Sequence, residues 1–500
     1  MKKLNKVTAV AAVLALVLGA GACDVPTDIN DNPNAPTDVT PQYILPQLIQ
    51  SSVSLILGYP HLDMTGVWAG HHAEIQYAEE DVGQIREVTV INRWEAYFSG
   101  DLQDAQTIVD KGQASGDANV TAVGMIIRAW VFHAATDLWG DIPYSEALQG
   151  MGEEGEEEND TPVYDPQEAV YAGMIANLKA AADMISAGSS PFGQEDLIYG
   201  GNMELWRKFA NSLRLRLAVR SKNAAAAQSA IADGVFTSNA DNAVLNYLSS
   251  QPNVNPIFDN FRTRDDHRIS ATIVDTLKQL DDPRLPVFAR PLEAEDVRAT
   301  GLVYDGMPNG YAAGHPFQFN EKSKLGLYFS LADAPAVLMG YPEVLFLQAE
   351  AAERGWIAAS AATLYTEGVT ASLQMYDGAE CVVPGATSAA GDVDGTCSIT
   401  AADIAAYLAQ PGVAYNGIES IGVQKWIALF GNGQEAWSEW RRLDFPHQTP
   451  GPDHTLGQIP TRYPYPQTEQ SLNRENMEAA VARQGGADLT GYVWWDDTRE

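Results

Sequence analysis

The sequence predicts an all-α protein of paired helices, with long irregular loops and a looped C-terminal half. Three observations predict this. Apolar residues recur at helical spacing in several segments. Those segments open on capping residues and close on Gly or Pro. The stretches between them are acidic or Gly/Pro-rich and too long to be simple turns. A chain of 500 residues, 45% of them hydrophobic, can build a large core. Its formal net charge of −34 repels phosphate backbones, so no nucleic-acid partner is expected.

The first 22 residues have the three parts of a secretory signal peptide. Lys2, Lys3 and Lys6 lead, residues 7–18 are apolar, and small residues fill 19–22. An apolar run this short falls well below the roughly 20 residues that cross a bilayer, and no later segment reads as a span. The stretch Leu18-Gly19-Ala20-Gly21-Ala22-Cys23 resembles a bacterial lipobox, departing from it at Ala20, where Leu is usual. The resemblance implies that Cys23 becomes the lipid-bearing first residue. At about 0.8 kcal/mol per buried methylene, several acyl chains on one sulfur anchor a protein without a span. Residues 23–40 are rich in Asp, Asn, Pro and Thr and read as a flexible tether. Their acidic start resembles surface-export signals of Bacteroidetes-like bacteria. Residues 41–500 read as one ligand-binding domain.

Within that domain, Val120, Val123, Ile127, Val131, Ala134 and Leu138 share one face of a helix over 117–138, stopped by Gly140 and Pro143. Asp165-Pro166-Gln167-Glu168 opens the next, with Asp as cap, Pro in the first turn and Glu three residues past the cap. Its stripe is Val170, Met174, Leu178, Ala181 and Ile185. A third helix over 202–220 turns Trp206, Phe209, Leu213 and Leu217 inward. Segments 341–354 and 359–376 pair across Gly355-Trp356, with Ala349, Ala351, Ala352, Ala361 and Ala362 permitting close approach, as in a tetratricopeptide unit. One further helix is expected over about 422–442. The long loops are an acidic one around Glu153 to Glu158, then 246–260, 299–320 and 379–398.

Several segments carry a family resemblance. Thr136-Asp137-Leu138-Trp139-Gly140-Asp141-Ile142-Pro143-Tyr144-Ser145-Glu146-Ala147-Leu148 is similar to the signature turn of the SusD/RagB family. Further matches follow in family order: Trp206-Arg207-Lys208-Phe209-Ala210-Asn211-Ser212-Leu213-Arg214-Leu215-Arg216, Asp282-Pro283-Arg284-Leu285, and Tyr341-Pro342-Glu343-Val344-Leu345-Phe346-Leu347-Gln348-Ala349-Glu350-Ala351. Gln424-Lys425-Trp426 with Trp437, Arg441 and Arg442, then Ile459-Pro460, Tyr465-Pro466, Glu469 and Asn473, complete the series. The resemblance implies a SusD-like fold of four tetratricopeptide-like units with a looped C-terminal half. It implies a non-catalytic, lipid-anchored protein of the outer membrane. It further implies capture of oligosaccharides or peptides and their delivery to a SusC-like TonB-dependent outer membrane transporter, without a cofactor.

Sugar rings stack their C–H faces on aromatics, which singles out Trp68, His71, His72 and Tyr77 in a polar segment, and Tyr304 and Tyr311 in a Gly-rich loop. Trp68 and Tyr77 stand first. Trp94, Trp130, Trp206, Trp426 and Trp437 lie in helical patterns and read as packing. In the signature turn, Asp137, Asp141 and Tyr144 read as a helix stop whose carboxylates bond backbone amides, not as a metal or acid–base site. Arg207, Arg214, Arg216 and Arg220, like Arg441 and Arg442, read as partners of carboxylates rather than an anion site. Asp392, Asp394 and Asp403 stand at positions one, three and twelve of a calcium loop, but Thr396 and Cys397 spoil the pattern, so no metal is assigned. Of the three cysteines, Cys381 and Cys397 remain after Cys23; export favours a disulfide between them over two free thiols. The rival functions are a secreted glycoside hydrolase, which needs two carboxylates about 5 to 9.5 Å apart, and a pure protein–protein scaffold.

Overall fold

A computed structural model describes residues 39–59, 61–149, 159–382, 394–486 and 488–496. The signal peptide, Cys23, nearly all of the tether and Asp392 lie outside the described residues.

Nine helices carry the architecture: α1 (Pro41–Leu57), α2 (Leu102–Ser115), α3 (Ala118–Trp139), α4 (Gln167–Met184), α5 (Met203–Arg220), α6 (Tyr341–Glu353), α7 (Ala361–Gln374), α8 (Ile418–Ala428) and α9 (Gly433–Leu443). They pack as the pairs α2/α3, α4/α5, α6/α7 and α8/α9 around one contiguous apolar core, so the fold is all-α and tetratricopeptide-like. Asp117 caps α3 by accepting from Asn119 N and Val120 N, and Asn202 does the same for α5 at Glu204 N and Leu205 N. Such caps contribute about 1 kcal/mol each.

Three expectations need correcting. Helix α3 does have the length and apolarity of a membrane span. All of residues 119–139 except Arg128 are nevertheless buried inside the protein, so α3 is the central core helix. Asp165 does not cap α4. Its carboxylate instead accepts from Tyr144 N, Ser145 N and Ser145 Oγ, tying the signature turn to the chain entering α4. The single helix expected over 422–442 is two, because Gly431 adopts φ 91° and Asn432 caps α9 at Glu435 N.

Strand among the described residues is confined to short two-stranded ladders: β1 (His72–Glu74) with β5 (His267–Ile269), β2 (Ile142–Pro143) with β3 (Tyr164–Asp165), β4 (Ala243–Leu245) with β6 (Ala336–Met339), and β7 (Ala379–Val382) with β8 (Asp394–Cys397). Cys381 and Cys397 form a disulfide across the last ladder. Asp403 is occupied as a capping-box residue, accepting from Thr400 N at 2.8 Å.

Arg216, Arg220 and Arg442 sit in a buried ionic lattice that ties the helix pairs together. Arg216 of α5 holds Glu343 of α6 through two bonds of 2.6 Å. Arg220 reaches Asp137, Glu435 and Glu439. Lys425 pairs with Glu439 at 3.0 Å, and Arg442 grips Glu350 through two bonds of 2.6 Å. Arg207 and Arg214 pair with Glu204 and Asp233. Arg441 is held differently: it donates to Thr461 O and Ser438 Oγ and lies 3.4 Å above the Trp437 ring. In the signature turn, Asp141 accepts from Gln167 N and Arg483, whereas Asp137 belongs to the lattice with Arg220, not to backbone amides.

Candidate functional site

The site is built on residues 61–83, a stretch seated deep against the C-terminal helix pair. Gly66 and Gly433 make this seat possible. A Cβ on Gly433 would fall 2.7 Å from Gly66 Cα, and one on Gly66 would fall 2.1 Å from His61 O. With no side chains in the way, Gly433 N–H donates to His61 Nδ1 at 2.9 Å. Burial lowers His61 to about 3, so the ring is neutral and carries its proton on Nε2. It therefore donates to His72 Nε2 at 2.8 Å. His71 donates to Trp426 O at 3.2 Å, Trp426 donates to Ala69 O at 2.7 Å, and Trp68 donates to Glu80 O at 3.0 Å.

This fixed floor presents a loop. Strand β1 aligns Glu74 with His267 of β5, and Ile75 N continues the pairing to Asp266 O. Asp81 Oδ1 accepts from Asn309 Nδ2 and Gly310 N, which ties in the segment around Tyr311. Between these anchors Tyr77 stands out at φ 55° with 55% of its surface exposed. A bulky residue rarely adopts that left-handed conformation, and strain of this kind collects at functional sites. Arg264 lies over the Tyr77 ring at 5.1 Å. Arg264 also lines a groove of about 340 Å³ with Phe258, Phe261, Arg262, Asp265 and Lys324. Tyr59, 38% exposed, sets its ring edge-on to His267, which lines the same groove. The arrangement offers an aromatic face, cationic donors and a carboxylate around an open cleft. That is what a polyhydroxylated ring requires.

Electrostatics are extreme beneath the surface. Burial pushes the Glu80 carboxyl up to about 7 and Asp81 to about 6. Glu74 is driven well above the carboxylate range by burial and by the neighbouring Glu80 and Asp81. Burial also holds His71 and His72 far below the usual imidazole range.

The six aromatic and imidazole candidates therefore separate. Trp68, His71 and His72 are 2%, 0% and 0% exposed, so they cannot meet a ligand from these positions and act instead as the floor. Tyr77 is on the surface. Tyr304 is half-buried on the main core, its hydroxyl pushed up to about 12 by burial. Tyr311 is also half-buried, packed edge-on to Phe317 at 4.9 Å. Trp94, Trp130, Trp206, Trp426 and Trp437 are all buried. Sequence reading missed Tyr59, Phe258, Phe261 and Arg264. The one available signal was the pair of aromatics and arginines in 258–264, a stretch that straddles the end of the expected 246–260 loop, where the structure has a short helix over Pro256–Phe261.

Fold and groove together define an all-α binding protein of paired helices. The family model described as SusD-like, starch-binding associating with outer membrane, matches residues 33–466. Among solved structures, a chitin-binding protein is similar at 30% identity and TM-score 0.76, covering 91% of this chain and 99% of its own. A SusD homologue from Bacteroides fragilis is similar at 26% identity and TM-score 0.75, covering 92% and 99%. A chitin-binding SusD homologue from Flavobacterium johnsoniae is similar at 26% identity and TM-score 0.73, covering 91% and 99%. A search among curated protein sequences finds no match. The chain belongs to the SusD-like family.

Proposed function

We propose that this protein is a lipid-anchored receptor at the cell surface that captures glycan oligomers unchanged and passes them to a SusC-like TonB-dependent transporter. The observation that carries this reading is Tyr77, held exposed in a strained conformation under Arg264, which lines the groove. Membership of a family described as starch-binding at the outer membrane supports the glycan class and the location. The chitin-binding relatives make chito-oligosaccharides the first ligands to try. Apolar C–H faces of the sugar would stack on Tyr77 and Tyr59, while Arg264, Asp265 and Lys324 take hydroxyl and amide groups.

The test is calorimetric titration of the mature protein with a panel of oligosaccharides, followed by chromatography of the recovered sugar. Binding is expected with the sugar recovered intact. Tyr77→Ala is expected to lower affinity about tenfold or more, equivalent to about 1.4 kcal/mol. Full affinity in that variant removes Tyr77 from the site, and shortened products in the recovered sugar replace capture with hydrolysis.

A further inference from the structure

We propose that Asp63, Glu74 and His267 form a binding site for a divalent cation of the zinc type, at the point where His267 lines the groove. This inference goes beyond ligand capture and does not depend on what the groove binds.

All three side chains are buried, and one ligand atom from each lies within 4.8 Å of the others. His267 Nε2 and Asp63 Oδ1 are 2.9 Å apart. Ligands about 2.1 Å from a tetrahedral ion stand about 3.4 Å apart. The three atoms thus need to close by at most about 1.4 Å to hold an ion. The elements that carry them are already fixed: Glu74 faces His267 in the β1–β5 ladder, and Asp63 follows the His61 anchor.

An independent observation points the same way. Glu80 is 2% exposed, and its Oε2 has no hydrogen-bond partner. Its carboxylate lies close enough to Glu74 and Asp63 to interact with both electrostatically. His267 Nδ1 is likewise buried without a partner. Hydrogen bonding inside the protein accounts for some of these groups. Asp81 N donates to Glu74 Oε2 at 3.1 Å, and Tyr59 bonds Asp63. Among the described residues, the four carboxylates at 63, 74, 80 and 81 meet Arg or Lys at one place: Arg86, 3.4 Å from Glu80 Oε1 and nearly half exposed. Buried carboxylates in such excess are either neutralised or bound to a metal. Mixed imidazole and carboxylate donors suit Zn²⁺, whereas Ca²⁺ takes six to eight oxygens. The groove, which His267 lines, supplies the entry path. An ion here would clamp β1 to β5 and so fix the loop that presents Tyr77.

The experiment strips the full-length mature protein with EDTA and titrates it with ZnCl₂. Binding of one equivalent is expected, with a rise in thermal midpoint. Glu74→Gln and His267→Gln are each expected to lose affinity by about tenfold or more. Glu293→Gln, in the exposed cluster Glu293, Glu295 and Asp296, is expected to change nothing and serves as the control. Three results overturn the proposal: no stoichiometric binding, full affinity in both ligand variants, or loss confined to Glu293→Gln. Preference for Ca²⁺ over Zn²⁺ overturns the assigned class. Should the ligand variants not fold, the visible spectrum of the wild-type Co²⁺ adduct decides, since mixed nitrogen and oxygen ligation supports the site and an all-oxygen spectrum rejects it. Because these readouts use no sugar, failure here leaves the glycan reading untouched.

Discussion

Asp101 places a carboxyl where only 4% of the residue meets solvent, with Ser51 Oγ donating to it at 2.5 Å. Burial raises it to about 6. A carboxylic acid raised on folding binds its proton more tightly in the native state, so it stabilises below the unfolded value near 4 and loses that contribution as pH climbs to about 6. The ionised form then costs about 3 kcal/mol. Asp101→Asn keeps the acceptor for Ser51 and removes the charge. Its thermal midpoint is expected to exceed that of the wild type at pH 8 and to match it at pH 4. A shift of equal size at both pH values would assign the effect to packing instead. The same scale explains why the candidate site residues were only half legible. Trp68 and Tyr77 occur in one polar stretch, and composition gives no means of telling which faces out. The answer lies in hydrogen bonds to Glu80 O and contacts to Trp437 and Arg264, made by residues far along the chain.

Among the elements, the strongest dependence is on the ionic lattice between α5, α6, α8 and α9. Glu439 meets Arg220, Lys425 and Arg442 together, and those cations hold its carboxyl well below the ordinary range. Removing one partner of a buried pair leaves the rest uncompensated. Glu439→Gln is therefore expected to lose about 3 to 5 kcal/mol in urea unfolding. A carboxylate depressed on folding contributes stability above its unfolded pKa and loses it as pH falls, so the variant's deficit should shrink below about pH 4. The Cys381–Cys397 disulfide spans 16 positions, and the double serine variant is expected to lose about 3 kcal/mol, read from the same unfolding curves. Helices α3, α5, α6 and α7 were legible because periodic apolar residues and side-chain caps or Pro and Gly boundaries agree locally. The break between α8 and α9 escaped because apolar spacing continues through Leu429 and Phe430, while Gly431 and Asn432 turn the chain. Asp165 had the right neighbours for a cap, but the competing amides of Tyr144 and Ser145 took its carboxylate.

For the whole molecule, the proposed location rests on Cys23, outside the described residues. Cys23→Ser is expected to move the protein from the membrane fraction to the soluble one without altering its affinity for sugar in solution. Retention on the membrane would instead assign anchoring to another element. The family assignment was legible because its motifs run in order through most of the chain. The ligand class was not, because the groove residues come from 258–267, 290 and 324–330 and meet Tyr59 and Tyr77 only in three dimensions.

The contact of Gly66 with Gly433 has a temporal consequence. His61 takes its hydrogen bond from a residue 372 positions later. Ribosomes make the N-terminal part first, so the floor beneath Tyr77 stays incomplete until nearly the entire polypeptide has emerged. Contacts this distant close slowly. The segment that carries Tyr77 therefore cannot complete its seat before that late residue arrives.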